Sequence, residues 1–125
     1  MSSSYRDLVV WQKAMDLIVV VYRATCDFPK EETYGLVSQL RRASVSVASN
    51  IAEGQGRLTP GEFRHFLGIS SGSLLEVETQ ILVSERLGML DHKTVEGMLQ
   101  MSGEIKRMIH GLADSLVDSE ATTRN

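Results

Sequence analysis

Apolar residues in this chain recur in alternating steps of three and four through four long segments. That spacing sets them on one side of an α-helix, whereas strands would need a two-residue alternation. The first segment, about residues 7–26, carries Leu8, Trp11, Met15, Ile18 and Tyr22 at this step, and the stripe reads as a bundle seam. Ala14, Leu17, Val21 and Ala24 form a second stripe, so the helix is more apolar than one core-facing side requires. The surplus points to contact with another subunit. A second segment, about 33–53, holds Leu36, Leu40, Ala43, Val47 and Ile51 among many Ser and Ala residues that let neighbouring helices approach closely. The third, about 60–87, is marked by Phe63, Leu67, Ser70, Leu74, Val77, Ile81 and Ser84. The fourth, about 92–117, is marked by Val95, Met98, Ser102, Ile105, Ile109, Leu112 and Leu116.

The punctuation between segments agrees with this reading. Phe28-Pro29 stops the first helix, because proline lacks an amide hydrogen and pushes its predecessor out of the helical region. Gly54 and Gly56 are expected to end the second by supplying positive-φ positions. Thr59-Pro60-Gly61-Glu62 combines a Thr cap, Pro at the first helical position and Glu at the third. Gly88 closes the third helix and Asp91 caps the fourth. Ser70-Ser71-Gly72-Ser73 offers a bend within the third helix, where Ser73 and Glu76 could act as a second capping box. Connections of about three to eight residues make consecutive helices antiparallel. The expected fold is all-α: an up-down-up-down four-helix bundle in one domain, residues 1–117, with a flexible polar tail at 118–125.

A chain of 125 residues supports one core. Its 13 Lys and Arg stand against 16 Asp and Glu, for a formal charge of −3, with no run of like charges. A dedicated nucleic-acid binder would be strongly basic. The lone Cys26 has no partner for an internal disulfide and is expected to behave as a small buried hydrophobe. The longest aliphatic run, Leu17 to Val21, is far short of a membrane span, and Met1 to Asp7 lacks a signal-peptide pattern. A cytoplasmic location is expected.

Carboxylate-bridged di-metal sites in bundles need two Glu-x-x-His pairs and two further carboxylates. Glu62 and His65 supply the spacing once, and neither His92 nor His110 has a Glu three positions upstream. No metal or cofactor is expected. Cys26 and the serines lack a nucleophile signature, and Gly54-Gln55-Gly56 reads as a turn between helices rather than a dinucleotide fingerprint. No catalytic residue is assigned, and an enzyme is not expected.

A polar stripe of Gln39, Arg42, Ser46, Ser49 and Glu53, with Asn50 beside it, runs along the second helix. It fits either a solvated outer face or a polar network at a subunit interface or ligand-facing groove. Glu53 in the last turn opposes the helix dipole at a cost of roughly 0.3–1 kcal/mol unless a cation such as Arg57 compensates. Glu76 and Glu78 interrupt the apolar middle of the third helix and could meet Arg41 or Arg42. Arg41, Arg42, Arg57, Arg64 and His65 form the most basic neighbourhood of an acidic chain. Repeated around a ring, the four arginines would offer a phosphate-binding surface.

Several strings resemble a known family: Asp7-Leu8-Val9-Val10-Trp11-Gln12-Lys13-Ala14, Phe28-Pro29 with Tyr34-Gly35-Leu36, Gln39-Leu40-Arg41-Arg42-Ala43, Asn50-Ile51-Ala52-Glu53-Gly54, and Gly72-Ser73-Leu74-Leu75-Glu76-Val77-Glu78. They resemble, from about Tyr5 to Leu116, the bacterial four-helix bundle family named after proteins encoded in 23S ribosomal RNA intervening sequences. The resemblance implies a homopentameric ring and a distant likeness to the accessory protein of diversity-generating retroelements, which works with nucleic acid and a reverse transcriptase. Family members often carry Pro where this chain has Ala48, so a kink there is not expected to carry over.

The expectation is a non-enzymatic oligomer of unsettled molecular role, with structured RNA or a nucleic-acid-associated protein as partner. The alternative is a protein-partner scaffold that binds no nucleic acid. Candidate interface or groove residues are Trp11, Arg42, Ser46, Asn50, Glu53, Ser73, Glu76 and Glu78; candidate nucleic-acid contacts are Arg41, Arg42, Arg57 and Arg64.

Overall fold

The computed structural model describes the backbone of residues 4–124 and the side chains of residues 4–117. Four helices make up the fold: α1 (Val9–Thr25), α2 (Leu36–Gln55), α3 (Pro60–Arg86) and α4 (His92–Arg124). Short 3-10 turns at Tyr5–Asp7 and Lys30–Glu32 precede α1 and α2, and no strand occurs among the described residues. The segment from residue 118, expected as a flexible polar tail, continues α4 to Arg124; its side chains lie outside the described residues.

The helix ends follow from local chemistry. Ser4 Oγ accepts from the Arg6 amide, and Asp7 accepts from the Ser4 amide, so the chain enters α1 through a closed capping box. Thr25 ends α1 by returning its hydroxyl to the Val21 carbonyl at 2.8 Å. At α3 the Thr59 Oγ1 accepts from the Glu62 amide at 3.1 Å, with Pro60 in the first turn. Gly88 closes α3 at φ +76°, a conformation costly for other residues. Asp91 Oδ1 accepts from the Thr94 amide at 2.8 Å and starts α4.

Each helix packs on its neighbours in the order α1, α2, α3, α4 and back to α1, while the diagonal pairs α1 with α3 and α2 with α4 bring no Cα atoms within 8 Å of each other among the described residues. Leu17, Val21, Leu40, Ile51, Leu67, Leu74, Ile81, Met98, Ile105 and Ile109 are buried at the centre. Each large side chain buried there contributes roughly 1.5–3 kcal/mol. Cross-helix contacts order the register: Gln39 with Gln80, Ser46 with Ser73, Val47 with Ser70, and Gly54 with Phe66.

Four expectations are corrected. On α1 the core stripe is Val10, Ala14, Leu17 and Val21, whereas Met15 and Tyr22 of the expected seam are exposed and Trp11 and Ile18 only half-buried. Both stripes carry the same spacing, so periodicity alone does not choose the one that α2 and α4 cover. Cys26, expected in the core, is exposed, since it follows the last helical residue and its thiol only reaches the Tyr22 carbonyl. Gly54 and Gly56 have no positive φ; α2 runs on to Gln55 and Gly54 is buried against α3. Helix α3 is unbroken through Ser70–Ser73, because Ser70 and Ser73 spend their hydroxyls on α2 rather than on a new cap.

A methyl at residue 54 would lie 2.8 Å from Phe66 Cβ and 2.9 Å from the Phe63 ring. Gly54→Ala should therefore destabilise by about 1–3 kcal/mol through overpacking. Gly97→Ala, where a methyl meets nothing within 4 Å, should stabilise by up to about 1 kcal/mol. Urea unfolding of both variants checks the contrast.

The α3–α4 corner carries a pH dependence. His92 Nδ1 lies 2.8 Å from Glu85 Oε2, and its Nε2 is 3.5 Å from Glu96. The hydrogen bond to Glu85, then the charges of Glu96 and Glu85, raise the imidazole above its ordinary 6.5. Its stabilising effect is full below that unfolded value and is lost as pH rises through the folded one. Unfolding wild type and His92→Gln on either side of the ordinary imidazole range should show the wild-type advantage at the acidic side and its loss at the basic side. Asp91 works oppositely: donation from Thr94 lowers its carboxyl, so that contribution fades only as pH falls through the folded value.

Candidate functional site

Two faces of α2 differ in character. Toward α3, Ser46 Oγ lies 2.8 Å from Ser73 Oγ, and Asn50 Nδ2 donates to the Ser46 carbonyl at 2.8 Å and its hydroxyl at 2.9 Å. Ser46 thus accepts from Asn50, and either hydroxyl can donate in the Ser46–Ser73 bond. Small side chains at this crossing let polar atoms meet directly.

Beside the network opens a groove of about 460 Å³, lined by Tyr34, Ser38, Gln39, Arg42, Ser46, Glu76 and Gln80. Arg42 makes one long contact, 3.5 Å to Ser38 Oγ, and neither Arg42 nor Glu76 has an ion pair among the described residues. Gln80 donates to Gln39 at 3.4 Å, while its own Oε1 is buried without a donor. A buried acceptor left unpaired costs about 1–3 kcal/mol. The groove thus offers a cation and a carboxylate on adjoining walls, with the Gln80 amide oxygen buried behind them.

The structure brings together Arg42, Ser46, Asn50, Ser73 and Glu76 along α2 and α3. Glu53 points instead to Arg57, 3.9 Å away, so the acid in the last turn of α2 has its cation. Glu78 turns to α4, where Ser102 donates to it at 2.6 Å and Lys106 lies 3.3 Å away. Trp11 packs edge-on to Tyr5 in a separate apolar groove between α1 and α2, with Met15, Ile18, Val45, Ala48 and Ala52.

The four arginines face different surroundings. Arg41 donates to Thr25 Oγ1 at 2.9 Å and the Tyr22 carbonyl at 3.2 Å, with its guanidinium over the Tyr22 ring. Arg42 lines the α2–α3 groove. Arg57 stacks on Phe66 at 4.7 Å, and Arg64 lies with Ile109 and His110 beside α4. Sequence reasoning missed Tyr34, Ser38 and Gln80. Gln80 follows Glu76 by four residues, a helical spacing that signals a shared face; Tyr34 lies before α2, where no periodicity guides assignment.

Among the described residues no three His, Cys, Asp or Glu side chains converge as a metal site, and no helix is long and apolar enough to cross a membrane. Four helices around one core, with grooves at their outer seams, define an all-α helical-bundle protein. The chain belongs to the 23S rRNA-intervening sequence protein family, whose sequence model matches residues 6–111. Among solved structures it is similar to a protein of unknown function from the S23 ribosomal protein family of Bacteroides thetaiotaomicron. The TM-score is 0.76 at 19% identity, covering 84% of this chain and 98% of that one, a likeness that carries the fold alone. No curated protein matches the chain significantly.

The Ser46–Ser73 pairing is testable by a double-mutant cycle. Ser46→Ala and Ser73→Ala should each cost about 0.5–1.5 kcal/mol in urea unfolding. A coupling energy of at least about 0.5 kcal/mol is expected from residues in direct contact.

Proposed function

We propose that this protein is a non-enzymatic, ring-forming helical bundle that receives a segment of a protein partner in its α2–α3 groove. The observation that carries the reading is the groove itself: Arg42 and Glu76 line it as a cation and an anion with no ion pair among the described residues. Recognition of a polypeptide, with its mixed charges, uses both. Phosphate recognition would use only the cation and would meet Glu76.

The dispersal of Arg41, Arg57 and Arg64 over other surfaces, with Arg57 beside Glu53, favours a protein partner over structured RNA. The opposed order of the cross-helix contacts supports the up-down-up-down topology: Gln39, Ser46, Val47 and Gly54 of α2 meet Gln80, Ser73, Ser70 and Phe66 of α3. Family membership and the surplus apolar surface support a homopentamer.

Solution mass should be about 69 kDa, five times the 13.8 kDa chain. Selection from a random peptide library should yield binders that Arg42→Ala and Glu76→Ala each weaken at least about tenfold, the loss of one charged contact. Structured RNA titrated at two salt concentrations separates the readings. Tight binding that weakens steeply with salt and falls in Arg57→Ala/Arg64→Ala would overturn the protein-partner reading in favour of RNA.

A further inference from the structure

Two cross-helix contacts set the register of the α2–α3 groove. Gln39 meets Gln80 at one level, and Ser46 meets Ser73 seven residues away on each helix, about 10.5 Å along at the helical rise. Arg42 comes three residues after Gln39 and Glu76 four before Gln80, so the two stand on opposite walls within about 1.5 Å of one level. They are the only charged residues that line the groove. Coulomb attraction favours their closing on each other. Instead Arg42 reaches along its own helix to Ser38 at 3.5 Å, and neither charge has an ion pair among the described residues. Both are exposed, and Tyr34 at the rim is 95% exposed.

The dimensions of the groove select the backbone of its occupant. About 460 Å³ spread over about 10.5 Å leaves a mean cross-section of about 44 Å². An α-helix with its side chains is about 10–12 Å across, which takes at least about 79 Å². An extended chain takes about 4.8 Å by 10 Å, or about 48 Å². The groove therefore admits a strand, and about three residues of it fit between the two polar contacts at about 3.3 Å each. Successive side chains of a strand project to opposite sides. An acid directly beside a base then meets both walls at once, whereas the same charges one residue further apart would point to a single wall.

We propose that the segment received in this groove is an extended stretch in which an acidic residue stands next to a basic one, its carboxylate on Arg42 and its cation on Glu76. The guanidinium fork suits a carboxylate, which it holds through two parallel N–H bonds. Turning the strand over exchanges the walls that its side chains face, so either order of the pair fits. This rests on the groove reading above and names the chemistry of the partner segment.

The test titrates the full chain with two capped hexapeptides of one composition, Glu and Lys adjacent at the centre of the first and separated by one Ser in the second. The adjacent peptide should bind at least about tenfold more tightly, the difference of one charged contact. Arg42→Glu and Glu76→Arg should each weaken it at least about tenfold. The double variant should restore the affinity, because the strand turns over to match the exchanged walls. Circular dichroism and solution mass confirm that each variant keeps the wild-type fold and assembly. Equal binding of the two peptides, or a folded double variant that recovers nothing, would overturn the adjacent-charge segment. So would failure of both peptides to bind while binders from the random library still depend on Arg42 and Glu76, and the groove reading would then stand. Library binders indifferent to both substitutions would overturn the groove and the segment together.

Discussion

The close approach of α2 to α3 is the constraint on which the rest of the structure depends. Gly54 has no room for a methyl against Phe63 and Phe66, and the buried Ser70 and Ser73 keep the crossing narrow. At that separation the buried Ser70 hydroxyl reaches the Val47 carbonyl, and Ser73 reaches Ser46. Small hydroxyl residues thus serve as packing and as hydrogen-bonding groups together. A core of larger side chains would hold the helices apart and leave those polar atoms unpaired.

The same narrowness shapes the surface. Drawing α2 against α3 turns Arg42 and Glu76 toward one shallow groove, and it sends Glu78, two residues on, toward Ser102 and Lys106 of α4. Two acids that look like a pair along the chain therefore have different work: one holds α4 in register and the other faces solvent. The arginines divide in a similar way. Arg41 ties α2 to the end of α1 through Thr25 and Tyr22, while its neighbour Arg42 faces the opposite side of α2. Successive residues on a helix are about 100° apart, so adjacent cations seldom share a surface.

Local rules account for what the sequence made legible. Thr59, Gly88 and Asp91 act through bonds to residues a few positions away, so their roles need no tertiary information. Ser46 and Asn50 stand at helical spacing in the polar stripe of the second helix, whereas Ser73, which offered itself as a cap within the third, meets Ser46 across the crossing instead. The inward side of α1 was not legible, since two stripes satisfy the same periodicity and only packing against α2 and α4 chooses between them. Gly54 looked like a helix stop because glycine serves both as a terminator and as a point of close approach, and chain order cannot separate the two.

By itself the sequence determined four helices, their approximate ends and a single core, because apolar periodicity and capping are properties of neighbours along the chain. Only the tertiary structure decided which α1 stripe is buried, which arginines stand near carboxylates, and which polar side chains share a groove. Those outcomes depend on helix rotation and separation, which are set by side-chain volumes from segments far apart in sequence. The apolar stripe left partly outside on α1 is written in the sequence as periodicity, but its exposure is a fact of packing alone.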